Sequence, residues 1–380
     1  MKHHIYNKGF KFISDPIEFN KTTEKSILQY CLGATLYMPG TKDVLSKILE
    51  KKFNEITSLV MCFEDAIPEE DLEKAEINVL FHLNKIADAF DSGELSLNDI
   101  PLIFLRVRNL VQFESFLSKL TERQAKVLSG FVFPKFHSKN AGYYLHYLDS
   151  ANSKFGTVLY GMPILEGKEI AFLETRNNEL SILKNILEPY KHIILNIRVG
   201  GTDFSSMFGV RRGINYSIYD IFTVRDCLAD ILNYFTRIED EYSVSAPVWE
   251  YFLADKEHNI DKLINKDIHK SLLNRTPIID EAIDGLLREV IIDKANGFIG
   301  KTIIHPSHAK YVNAMQTVTK EEYEDAMQIL NANGGVIKSQ SANKMNEVNP
   351  HRSWAKKIYN RSQAYGVVEN DLSFIELILG

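Results

Sequence analysis

The sequence predicts an α/β fold, a closed (β/α)8 TIM barrel, on three observations. Short apolar runs rich in β-formers alternate with longer segments of helical spacing, as βα units around a parallel sheet require. The runs number about eight, the strand count of such a barrel. Polar and charged residues gather where the runs end, which is where a barrel of this kind carries its chemistry. An open, doubly wound sheet shares the alternation and is the alternative, because periodicity does not report closure.

The eight runs are 34–38, 58–63, 102–107, 130–133, 157–162, 192–199, 242–246 and 301–304. Helical spacing is readable over 43–51, 69–90, 178–187, 218–235 and 281–295. Thr41 is placed to cap the first of these helices. Pro68 and the acidic turn Glu69, Glu70 and Asp71 open the second, and Gly297 stops the last. Residues 247–280 separate the seventh run from its helix and read as an insertion. A barrel domain over 1–331 is followed by a C-terminal extension, 332–380, with a Gly, Ser and Asn-rich hinge over 333–344 and a helix over 353–365. Trp354, Ala355, Ile358 and Tyr359 give this helix an apolar stripe. The stripe is expected to dock on a neighbouring subunit and to carry Glu347 to that subunit's active-site mouth.

Bulk composition excludes several classes. The 380 residues include 44 basic and 50 acidic side chains, a net charge of −6, which gives no basic surface for nucleic acid. Hydrophobic residues at 45% and charged residues at 25% suit a soluble enzyme with a sizeable core. No apolar run approaches the roughly 18 residues of a membrane span. The opening MKHHIYNKGF lacks the apolar stretch of a signal peptide. A cytoplasmic protein without membrane partners is expected. Cys31, Cys62 and Cys227 fit neither zinc nor disulfide spacing and are expected to be buried free thiols.

The strand ends carry the candidate site. Glu64 and Asp65 follow the second run, and Arg106 and Arg108 end the third, two apart and so expected on one face. Lys135 follows the fourth run, Glu166 the fifth, and Gly201, Thr202 and Asp203 the sixth, while His305 follows the eighth. A barrel strand has no exposed edge, so inward arginines must meet carboxylates or a substrate anion. Glu166 and Asp203 are hard oxygen donors beside glycines, and two carboxylates with open positions suit Mg²⁺. Arg106 offers a planar fork to a substrate carboxylate or a developing oxyanion. Mg²⁺ beside arginine is equipment for stabilising an enolate.

The ordered motifs resemble the citrate lyase beta-subunit-like family, also called the HpcH/HpaI aldolase family, of which the chain looks like a divergent member. LYMPGTKD resembles the family's first-strand segment, MCFEDAI its "DLEDAV", FLRVRN its "VRVN" and FVFPKF its "LPK". MPILEGKEI resembles the segment with the metal-ligand glutamate, and VGGTDFSSMFG the one with the metal-ligand aspartate. GFIGKTIIHPSH is the sharpest match, and KMNEVNPHRSWAKK a looser one. The resemblance covers about 34–357. It implies a TIM barrel, Mg²⁺ held by Glu166 and Asp203, and carbon–carbon bond cleavage or formation in acyl-CoA thioesters or 2-oxo acids. It further implies that Arg106 holds the substrate, that Glu64 and Asp65 stand behind the metal with one relaying a proton, and that the protein forms a homotrimer or hexamer. Arg108, Lys135, Gly201, Thr202 and His305 are the expected substrate-lining residues. Thr202 replaces the family's usual acid and Arg108 a small polar residue, which suggests an additional anionic group in the ligand. The alternatives are a same-fold biosynthetic enzyme for a phosphate- or nucleotide-bearing substrate, and a non-catalytic ligand-binding barrel.

Overall fold

The computed structural model of the chain describes residues 1–53, 55–240, 242–252, 279–339 and 344–379. Seven parallel strands lie in the order β6-β5-β4-β3-β2-β1-β7. They are β1 (Ala34–Pro39), β2 (Ser58–Cys62), β3 (Leu102–Arg106), β4 (Gly130–Phe133), β5 (Tyr160–Leu165), β6 (Arg198–Val199) and β7 (Lys301–Ile303). Residues 243–246 fill the eighth position. Ser245 N–H donates to the Ile197 carbonyl and Ile299 N–H to the Val244 carbonyl, each at 2.8 Å, so the ring between β6 and β7 is closed. The open-sheet alternative falls with that closure.

Strand alternation sorts the side chains into two cores. Leu59, Met61, Ile103, Leu105, Phe131 and Phe133 point outward under the helices. Val60, Leu102, Phe104, Val132, Met162 and Ile164 point inward and fill the barrel. Continuing the inward parity along each strand leads to Cys62, Arg106, Glu166 and Arg198. The interior is therefore apolar at one end of the strands and charged at the other.

Several boundaries differ from the sequence expectation. The fifth strand runs Tyr160–Leu165 rather than 157–162. The sixth is a continuous ladder only at Arg198–Val199, with single bridges at Ile194 and Ile197, because a 3-10 turn with Pro189 in its first turn occupies Glu188–Ile193. The first barrel helix, Leu45–Leu49, starts at Val44 rather than Thr41 and has no side-chain cap; Asp43 Oδ1 just before it accepts from Leu45 N–H at 2.8 Å. Of the expected insertion, 253–278 lie outside the described residues. The three cysteines are buried and free. No helix among the described residues is long and apolar enough to cross a membrane.

A buried charge network holds β7 to the helix behind it. Lys301 Nζ, fully buried, lies 3.1 Å from Glu289 Oε2 and 2.8 Å from Asp293 Oδ2 on the helix Glu281–Ala295. Arg212 pairs with the other oxygen of Glu289 and stacks over Trp249, its Cζ 4.7 Å from the ring centroid. Arg212 is thus a structural cation, while Arg211 is exposed.

The C-terminal segment docks on its own barrel, against the expectation of a neighbour. The helix Val348–Tyr365 buries Ala355 and Ile358 against Ala326 and Ile329 of the helix Lys320–Asn331. Its last residue, Tyr365, plugs the N-terminal end of the barrel, donating from its hydroxyl to the Tyr30 carbonyl at 2.7 Å and stacking on His3. Ser14 and Val367 pair beside it. The stripe was readable as apolar, but the nearest apolar surface is in the same chain. Glu347 precedes this helix, and that helix closes the end of the barrel opposite the charged one. Part of the expected hinge is a hairpin of Val336–Lys338 with Met345–Glu347, and 340–343 lie outside the described residues.

Candidate active site

The charged end of the barrel encloses a cavity of about 430 Å³. Tyr37, Arg106, Glu166, Arg198, Asp203 and Thr302 are among its walls. Asp65, Gly201 and Thr202 also line it, as expected.

Arg106 is surrounded by carboxylates. Its Nη2 lies 2.6 Å from Glu64 Oε2, 3.2 Å from Asp65 Oδ2 and 3.4 Å from Glu166 Oε1. Burial works against its charge, but Glu166 and Glu64 more than compensate and hold the guanidinium ionised. Lys135 has the left-handed φ of 46°, uncommon for a side-chain-bearing residue. That turn lets its N–H donate to Glu166 Oε1 at 2.8 Å while its Nζ pairs with Glu64.

The adjacent acids are pushed apart in acidity. Burial raises Glu64 more than Arg106 lowers it. Burial also acts on Asp65, but the Glu64 hydrogen bond, Arg106 and Lys135 outweigh it and the net shift is downward. Such a split separates a proton-holding acid from its carboxylate neighbour. Burial, together with Asp203 and Glu64 and against Arg106, raises Glu166 to about 8.

Glu166 and Asp203 converge across Gly200. A Cβ there would sit 2.6 Å from Glu166 Oε2 and 3.1 Å from Asp203 Oδ2. The backbone φ of −96° is open to any residue, so glycine is required for space rather than conformation. Among the described residues neither Oε2 of Glu166 nor the Asp203 carboxylate accepts a hydrogen bond. Two unpartnered carboxylates meeting in a space that only glycine leaves open fit a hard cation such as Mg²⁺. Among the described residues no group of three His, Cys, Asp or Glu side chains forms a fuller cage, so further ligands would be water and substrate oxygens.

Three expected substrate-lining residues, Arg108, Lys135 and His305, are not among the cavity walls, and Lys135 stands behind them on Glu64. β3 ends at Arg106 and the chain turns, so Arg108 does not share its face. Arg108 instead donates to the Phe63 and Ile67 carbonyls, both at 2.9 Å, and supports the loop carrying Glu64 and Asp65. His305 caps the short helix Pro306–His308 through Ser307 and stacks on Phe252.

Arg198 is the residue sequence reasoning missed. It is 1% exposed, with Nη2 2.6 Å from Thr302 Oγ1 and its Cζ 5.3 Å from the Tyr37 ring centroid. Among the described residues it has no carboxylate partner, and its Nε is a buried donor without an acceptor. Its signal was parity: it stands two before Gly200, on the inward register.

The family model for C–C bond lyases of the TIM-barrel fold matches residues 26–367. No curated protein is a match in sequence. Among solved structures, the chain is similar to the protein CitE of Mycobacterium tuberculosis in complex with magnesium, acetoacetate and coenzyme A. The identity is 15% and the TM-score 0.51, over 88% of this chain and 99% of that one. A malate synthase of Haloferax volcanii matches at 11% identity and a TM-score of 0.50, over 76% and 75%. The citrate lyase beta subunit of M. tuberculosis, complexed with oxaloacetate and magnesium, matches at 14% and 0.42, over 75% and 96%.

Proposed function

The chain belongs to the C–C bond lyase family of the TIM-barrel fold, and from that premise we propose a Mg²⁺-dependent lyase. It makes or breaks a carbon–carbon bond beside the carbonyl of a 2-oxo or hydroxy acid or an acyl-CoA thioester. The observation that carries this reading is the meeting of Glu166 and Asp203 over Gly200, in a cavity that also holds two buried arginines. Mg²⁺ between these carboxylates would supply positive charge to a carbonyl oxygen that turns anionic in the reaction.

The chain's own groups do the rest. Arg198, which lacks an anionic partner among the described residues, binds the substrate carboxylate, with Tyr37 and Thr302 fixing its fork. Arg106 keeps the surrounding acids in place and offers Nη1, from which no group among the described residues accepts, to the developing oxyanion. Asp65 faces the cavity as the carboxylate that exchanges a proton with substrate, and Glu64 behind it restores that proton. The neighbouring fold with coenzyme A bound makes thioesters one arm of the substrate panel. A cytoplasmic homo-oligomer, trimer or hexamer, completes the reading and rests on the citrate-lyase-like motifs.

Turnover of 2-oxo acids and acyl-CoA thioesters should appear with Mg²⁺ and vanish with EDTA. Activity indifferent to EDTA across that panel would sink the proposal. Arg198→Lys keeps the charge and loses the fork, so KM should rise about tenfold or more. Mg²⁺ affinity should hold in that variant, and an unchanged KM would move the anion contact elsewhere.

Glu166 must lose its proton to bind a cation. Mg²⁺ affinity should therefore rise about tenfold per pH unit up to about 8 and then level off. The sign for stability is opposite. A carboxyl raised in the fold contributes stability below its unfolded pKa and loses it as pH rises through about 8. Metal-free protein should melt lower at pH 9 than at pH 6, and Glu166→Gln should flatten that difference.

A further inference from the structure

At the opposite end of the barrel lies a larger cavity, about 570 Å³, between the barrel and the C-terminal segment. Gly297 and Ile299, just before β7, place it at the N-terminal ends of the strands, away from the candidate active site. Lys294, Lys357 and Arg361 line it, facing Glu322 and Asp371.

The cations outnumber the acids, and two of them are unanswered. Lys294 donates to the Thr317 carbonyl at 2.8 Å and lies 3.8 Å from Glu322 Oε2. Glu322 also accepts from Thr319 as a helix cap. Arg361 is only 7% exposed, yet among the described residues it makes no ion pair and no hydrogen bond, and its Nε is a buried donor without an acceptor. Lys357 stands one helical turn before it, on the same face, and likewise has no carboxylate within ion-pair distance among the described residues. Like charges at that spacing repel. Burial, then Arg361, lowers the pKa of Lys357. Glu322 acts on Arg361 as well as on Lys294, yet it lies beyond ion-pair distance of Arg361, and a buried arginine beside a lysine, both short of anions, is costly unless something supplies one.

The remaining walls say what the anion is attached to. Trp354, Phe374, Met315 and Ile299 give apolar faces, and Asn296 and Asn370 give amides. The volume lies in the range of small-ligand sites. We propose that this cavity binds an organophosphate, a phosphate monoester whose dianionic head sits on Arg361 and Lys357 and whose flat apolar body lies along Trp354 and Phe374. Arg361 supplies the bidentate fork for the phosphate oxygens and Lys357 the second charge.

Phenyl phosphate and AMP, with inorganic phosphate as control, are titrated into the full chain and followed by thermal shift and tryptophan fluorescence. Both esters should bind saturably and raise Tm, and inorganic phosphate should bind more weakly. Trp354→Phe should remove the fluorescence change while the Tm shift stays. Arg361→Gln and Lys357→Gln should each weaken binding about tenfold or more. Arg361→Gln should fold with a Tm at or above the parent, because it removes an unpaired buried charge. Three results would overturn the proposal: no saturation by either ester, inorganic phosphate binding as tightly as the esters, or both glutamine variants binding like the parent.

Discussion

Gly200→Ala should abolish turnover and cut Mg²⁺ affinity about 10–100-fold while the protein stays folded. The added methyl would sit 2.4 Å from Glu166 Cβ and 2.6 Å from its Oε2. Neither contact is tolerable, and one is to a side-chain root that cannot swing aside. The backbone accepts alanine at φ −96°, so the cost falls on the carboxylate pair. A displacement of about 1 Å at a reacting centre is enough for a loss of about a hundredfold. Calorimetric Mg²⁺ titration and steady-state kinetics on the variant decide the matter. Normal metal affinity with normal turnover would detach Gly200, and with it the Glu166–Asp203 pair, from the chemistry.

Lys301→Met should be the most destabilising single change in the barrel wall, at about 3–5 kcal/mol by urea unfolding. It strips the cation from Asp293 and half the partnership from Glu289, both buried. Burial already raises Asp293 to about 6 despite Lys301. Without Lys301 that acid takes up its proton at higher pH still, so the deficit against the parent should shrink as pH falls towards about 6 and level off below it. A deficit under about 1 kcal/mol at pH 7 would mean that the network contributes nothing net.

How much was legible in the sequence depended on whether a signal was local. The barrel was legible because eight runs each report their own period, and the ring closes through residues 243–246, within the seventh run, 242–246. Glu166 and Asp203 stood beside glycines at strand ends and meet in space. Arg108 was misread because alternation stops where β3 stops, two residues earlier. Arg198 was hidden inside a run read as one regular strand from 192, when a 3-10 turn holds the chain to 193 and the pairing up to 197 is by single bridges. Counting parity back from the glycine turn would have found it. The roles of Lys301 and Arg361 could not be read at all. A lysine in a strand or an arginine on an amphipathic helix looks solvated until tertiary packing buries it. The stripe on the helix Val348–Tyr365 was plain, but a stripe does not name the surface that covers it.

That helix has a consequence for synthesis. Tyr365 fills the barrel's lower opening, and Val367 exchanges backbone hydrogen bonds with Ile13 and Ser14. Ser14 waits for Val367, across some 350 positions of intervening chain. A ribosome-bound chain stopped short of residue 365 leaves the His3 ring and the Tyr30 carbonyl without the side chain that covers them. The N-terminal end of the barrel is thus sealed only once residues 365–367 are free to pack, and until then that end is the surface a chaperone would meet.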